Sequence, residues 1–150
     1  MDSGKRLSRK GGRAGLTKEM LLPLPAEKVR SLSLEHHLAL AAIRSGHGDS
    51  DQISCLLKAV YLAFFMRDAG VSEAQIAQFR RAEQVLERCI ERVERGERWW
   101  LLDTERGVLE RVLVLHDEQL AAVPTHRYLA AWTQLRRFIV GAMRSPIPRL

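Results

Sequence analysis

Apolar side chains recur along this chain three and four positions apart, the spacing of one helix face, in five successive runs. The first spans about Ala26 to Arg44, with Val29, Leu32, Ala39, Leu40 and Ile43 on one stripe, and Gly46-His47-Gly48 stops it. The second starts at an Asp49 or Ser50 cap, with Gln52 at capping-box spacing, and continues to about Asp68. Its apolar residues, from Ile53 to Phe65, wrap almost the whole circumference, which predicts the central helix. The third starts at Ser72, after Gly70, and carries Ile76, Phe79, Leu86, Ile90 and Val93 opposite a charged face. The fourth is expected to be capped by Asp103 or Thr104 and carries Val108, Leu109, Val112, Leu115 and Leu120. The fifth follows Pro124-Thr125, with Tyr128, Trp132, Leu135, Ile139 and Met143 as its stripe, and Pro146 and Pro148 forbid continuation. Short connections favour antiparallel neighbours, so the pattern predicts an all-α fold, a compact antiparallel bundle of about five helices.

What flanks the bundle differs in kind. Residues 1 to 20 mix glycine, serine and basic side chains with few large apolar ones, so too little surface is buried to offset chain entropy, and a disordered basic N-terminal tail is expected. Residues 21 to 25, Leu-Leu-Pro-Leu-Pro, read as an extended strap. Residues 26 to 144 form the helical domain, and residues 145 to 150 a C-terminal tail.

Charge sharpens this division. The 150 residues carry 24 basic and 18 acidic side chains, and the excess sits at the ends. Residues 1 to 20 have a net charge of +4, and the stretch from Arg136 onward contributes another +4 with no acid, which leaves a slightly acidic body. Mobile clustered cations release counterions condensed on a nucleic acid and need no fixed geometry to do so. Lys5, Arg6, Arg9, Lys10 and Arg13, helped by Arg136, Arg137 and Arg144, are therefore the candidate nucleic-acid-binding residues. The tail has no aromatic residue on which bases could stack.

Other chemistry is thinly represented. Met66 to Ile76 resembles the turn and second helix of a helix-turn-helix, with Gln75, Gln78, Arg80 and Arg81 as groove-facing side chains, but capping alone explains those residues and a plain helical hairpin is expected. His36 and His37 are adjacent on a helix, so their side chains point about 100° apart and cannot chelate as an i, i+4 pair does. His116-Asp117-Glu118 has the same defect, and no metal site is expected. Cys55 and Cys89 both fall on apolar helical faces, as reduced packing thiols do in a cytoplasmic protein. No catalytic residue, cofactor motif or nucleotide loop is identified, and no enzymatic activity is expected. Ile53 to Met66 contains Lys58 and falls short of the roughly 20 residues that cross a bilayer, so no membrane partner is expected. Adjacent indoles at Trp99 and Trp100, beside Arg98, are candidate anchors for a protein partner. The heptad-like run from Ile76 to Val93 fits either internal packing or a homodimer seam.

The basic glycine-rich lead, the Leu21-Leu-Pro-Leu-Pro25 strap and the run Leu32-Ser-Leu-Glu-His-His-Leu-Ala-Leu40 resemble short all-helical proteins of proteobacterial phages, plasmids and genomic islands, some labelled Fis-like regulators. The residues typical of the Fis DNA-binding helix pair are not found near the C-terminus. The resemblance implies an accessory or transcription-regulating protein of a mobile element and assigns no functional residue. Two functions are thus expected in order: non-enzymatic, non-specific nucleic-acid binding through the basic ends, and a protein-interaction module, adaptor or inhibitor, built on Trp99 and Trp100 or an exposed helix face.

Overall fold

Helix ends in this chain are set by local hydrogen bonds that the sequence supplies. The computed structural model describes residues 15–141 and 144–149. Their helices are α1 (Lys18–Leu21), α2 (Ala26–Arg44), α3 (Ser50–Phe65), α4 (Glu73–Glu94), α5 (Asp103–Ala122) and α6 (Thr125–Gly141). No strand occurs among the described residues, so the fold is all-α. Gly46, at φ 78°, ends α2 in a Schellman turn: His47 N–H donates to Ala42 O and Gly46 N–H to Ile43 O. Asp49 then caps α3, its carboxylate accepting from Asp51 N–H at 2.8 Å while Gln52 Oε1 accepts from Asp49 N–H at 2.7 Å. Ser72 caps α4 by accepting from Gln75 N–H.

Two helix ends differ from expectation. Helix α3 stops at Phe65, three residues short of Asp68, where the Arg67 guanidinium donates to Phe64 O at 2.8 Å and lies 3.8 Å from the centre of the Phe64 ring. Helix α5 is not capped by Asp103 or Thr104. Leu102 holds the cap position, and Glu105 Oε1 reaches back to accept from Leu102 N–H at 3.0 Å.

Helix α3 touches α2, α4, α5 and α6, which makes it the centre of the bundle as its all-round apolar surface predicts. The larger core cluster joins α2, α3, α4 and α5 around Ile43, Leu56, Phe79, Leu86 and Leu113. A second cluster, around Leu62, Met66, Leu120, Tyr128 and Leu135, fastens α6 to α3, and Tyr61 and Phe65 line both. The two clusters form one continuous interior.

Both flanks are more structured than a tail-and-strap reading implies. Residues 18–21 form α1, started by Thr17, and α1 packs on α6. In the strap, Leu24 is half-buried against the second cluster, whereas Leu21 and Leu22 are exposed. The Leu22 carbonyl accepts from Thr125 N–H at 2.8 Å and from the Thr125 hydroxyl at 2.7 Å, beside an antiparallel bridge between Pro23 and Pro124. At the other end Ile147, expected in a free tail, is buried in the larger cluster, and the Ser145 hydroxyl donates to the buried Glu83 carboxylate on α4. Met143 and residues 1–14 lie outside the described residues.

Candidate functional site

Each histidine pair that looked uninformative along the chain acquires a partner across the α2–α5 seam. His36 lies in phase with Ala39, Leu40 and Ile43, and His116 with Leu109, Val112, Leu113 and Leu120, so both point into the bundle. Their rings stand 5.4 Å apart, centre to centre, tilted by 34°. His116 is fully buried. Gln119 Nε2 donates to Ala63 O at 2.9 Å, which turns Gln119 Oε1 toward His116 Nδ1 at 3.0 Å and assigns the Nδ1 proton. His116 Nε2 is left as a buried acceptor, and neither it nor the buried His36 Nδ1 meets a hydrogen-bond partner among the described residues. Burial, the proximity of His36 adding to it, pushes the His116 pKa down to about 4, against the Gln119 bond and Asp117. Burial also lowers the His36 pKa, opposed by Glu35 and Asp117 and assisted by His37.

One residue further along each helix, His37 Nε2 meets Asp117 Oδ2 at 2.8 Å on the solvent edge of the same seam. A small cavity of about 60 Å³ touches the buried pair, with Cys55, Lys58, Tyr128 and Trp132 among its other walls. Burial raises the Cys55 thiol, and Glu35 raises it further, so it is a poor nucleophile at neutral pH. Cys89 is raised by burial as well, and its Sγ lies 3.5 Å from Trp100 O. Among the described residues no three histidine, cysteine, aspartate or glutamate side chains converge to hold a metal ion. Sequence reasoning missed this seam because it weighed each histidine against its chain neighbours. The signal was present in the apolar phase of both histidines.

Trp99 and Trp100 serve the interior. Trp99 packs against the larger cluster, and Trp100, 36% exposed, lies beneath Arg92, whose guanidinium is 4.2 Å from the ring centre. Arg92 donates to Trp100 O at 2.8 Å and pairs with Glu105 at 2.9 Å, with both side chains nearly out of solvent. The junction between α4 and α5 is thus locked by a buried ion pair that one indole covers, and only one face of Trp100, beside exposed Leu102, remains for a partner.

The basic candidates divide. Lys5, Arg6, Arg9, Lys10 and Arg13 lie outside the described residues. Arg136, Arg137 and Arg144 are exposed, the first of them 6.0 Å from the Trp132 ring centre. An open groove of about 700 Å³ between α4 and the C-terminal segment is edged by Arg80, Arg144 and Arg149, with Glu83 and Glu87 on its wall. Burial and the neighbouring Glu83 raise the Glu87 pKa, while Arg80 and Arg149 oppose the rise. Of the side chains proposed to read a DNA groove, Gln75, Gln78 and Arg80 are half-buried and only Arg81 is exposed, as in a helical hairpin. No helix among the described residues is long and apolar enough to cross a membrane. No family model matches the chain, and no curated protein or solved structure matches it significantly.

Proposed function

We propose that this protein is a non-enzymatic accessory or regulatory protein, of the kind mobile elements carry, that binds nucleic acid electrostatically and without base readout. The observation that supports it most is the packing of α1, which follows the basic residues 5 to 13 along the chain, on α6 with its exposed Arg136 and Arg137. Helix α1, which leads out to Lys5–Arg13, packs on α6; Arg136 and Arg137 project from that helix; and the segment bearing Arg144 and Arg149 follows it. Arg136 and Arg137 on α6, and Arg144 and Arg149 after it, are exposed basic side chains with no acid in that stretch of the sequence, beside a slightly acidic body. Such a surface suits phosphate neutralisation, which fixes affinity without reading sequence.

The test is binding of the full chain to labelled duplex DNA and RNA of unrelated sequences across a salt series. Affinity is expected to fall linearly on logarithmic axes, by about 0.9 per phosphate contact for duplex DNA, and to be similar for every sequence. Exchanging Lys5, Arg6, Arg9, Lys10 and Arg13 together for glutamine should weaken binding at least tenfold at low salt, on the order of one lost contact or more. No binding at low salt, or unchanged binding by that variant, overturns the reading in favour of a protein partner at Trp100 and Leu102.

A further inference from the structure

The nucleic-acid reading leaves the α2–α5 seam unused. We propose that the His36–His116 pair is an acid-operated latch: as neutral rings the two histidines let α2 lie against α5, and their protonation in mildly acidic solution parts these helices locally. The geometry leaves a second proton on His116 without a place to go. His116 Nδ1 already donates to Gln119, so an added proton falls on Nε2, which has no acceptor. His36 Nδ1 likewise meets none. Charging both rings sets two like charges about one ring-to-ring distance of 5.4 Å apart, inside a bundle that screens them poorly.

The surrounding groups do not cancel this. From α3, Cys55 and the exposed Lys58 border the pair and offer no anion. From α6, Tyr128 and Trp132 offer no anion. From α2, Glu35 favours protonation but is exposed, and His37 adds repulsion. From α5, Asp117 favours it too; its Oδ2 is engaged by His37 and its Oδ1 is buried without a partner among the described residues, so it offsets one of the two ring charges only in part.

The sign follows from linkage. The closed state refuses a proton that the open state binds, so opening is favoured as pH falls below the ordinary histidine value of 6.5, and the gain levels off below about 4. For His116 alone the opening equilibrium shifts on the order of twentyfold between pH 7 and pH 5.

The experiment is amide hydrogen exchange of the full chain at pH 7 and pH 5, corrected for intrinsic exchange, beside a proton-resonance titration of the histidine rings. Protection around His36 on α2 and His116 on α5 is expected to drop on the order of twentyfold while α4 keeps its own, with both ring resonances moving at a lower pH than an ordinary histidine and that of His116 lowest. His36→Gln and His116→Gln should each shrink the drop. Equal protection at the two pH values, an undiminished drop in both variants, or a drop shared equally by α4 overturns the latch. Should the variants fail to fold, the titration and exchange of the unaltered chain decide.

Discussion

Arg92 and Glu105 form an ion pair whose side chains are 9% and 6% exposed, and each also serves the backbone, Arg92 at Trp100 O and Glu105 at Leu102 N–H. Removing one partner leaves a buried charge uncompensated, which costs about 3 to 5 kcal/mol, whereas removing both with apolar replacements is close to neutral apart from the lost cap. Arg92→Met is therefore expected to lower unfolding free energy by about 3 to 5 kcal/mol, and Arg92→Met with Glu105→Leu by far less, about 1 to 2, in urea titrations. Equal losses in the single and double variants would contradict a buried ion-pair account. None of this was legible from spacing. Arg92 and Glu105 are 13 residues apart on different helices, and each reads along its own helix as one more member of a solvated charged face. The His36–His116 contact was hidden for the same reason, 80 residues separating its members. The caps at Asp49 and Ser72, by contrast, depend on residues two or three positions away, and the chain declares them openly.

At the scale of elements, the apolar period located all five long helices because each buries one stripe, and it singled out α3 because that helix is apolar all round. It placed the end of α3 too late and misassigned the start of α5, since both are decided by single side chains, Arg67 and Glu105, reaching back to the backbone. The turn after α2 shows how little room an element end leaves. A Cβ on Gly48 would lie 2.6 Å from Ile43 Cγ1 and 2.9 Å from Ile43 Cα, and Ile43 is wholly buried, so its backbone cannot yield without moving the core. Gly48→Ala is expected to destabilise the protein by about 1 to 3 kcal/mol, seen as a lower thermal midpoint, although alanine normally improves on glycine. A midpoint equal to or above that of the unaltered protein would show that the turn can relax.

For the whole molecule, the C-terminal segment is part of the interior rather than an appendage. Ile147, 2% exposed, fills the larger cluster beside residues of the helical core, and Ser145 bonds Glu83. Ile147→Ala is expected to cost about 2 to 5 kcal/mol by chemical denaturation, the range of a buried large-to-small change, where a free tail would cost nothing measurable. Composition suggested a tail because proline on either side of one isoleucine offers no periodic pattern, and a single buried residue leaves no signature along a chain. The same long reach joins the other flank, where the Leu22 carbonyl holds Thr125 across 103 residues. On the ribosome this has a cost in time. Leu22 emerges early but has nothing to bond until α5 and the start of α6 have been made, so at about 5 to 20 residues per second the strap waits several seconds for its partner. During that interval the apolar α3 is without α5 and α6, and its protection falls to whatever in the cell shields nascent chains.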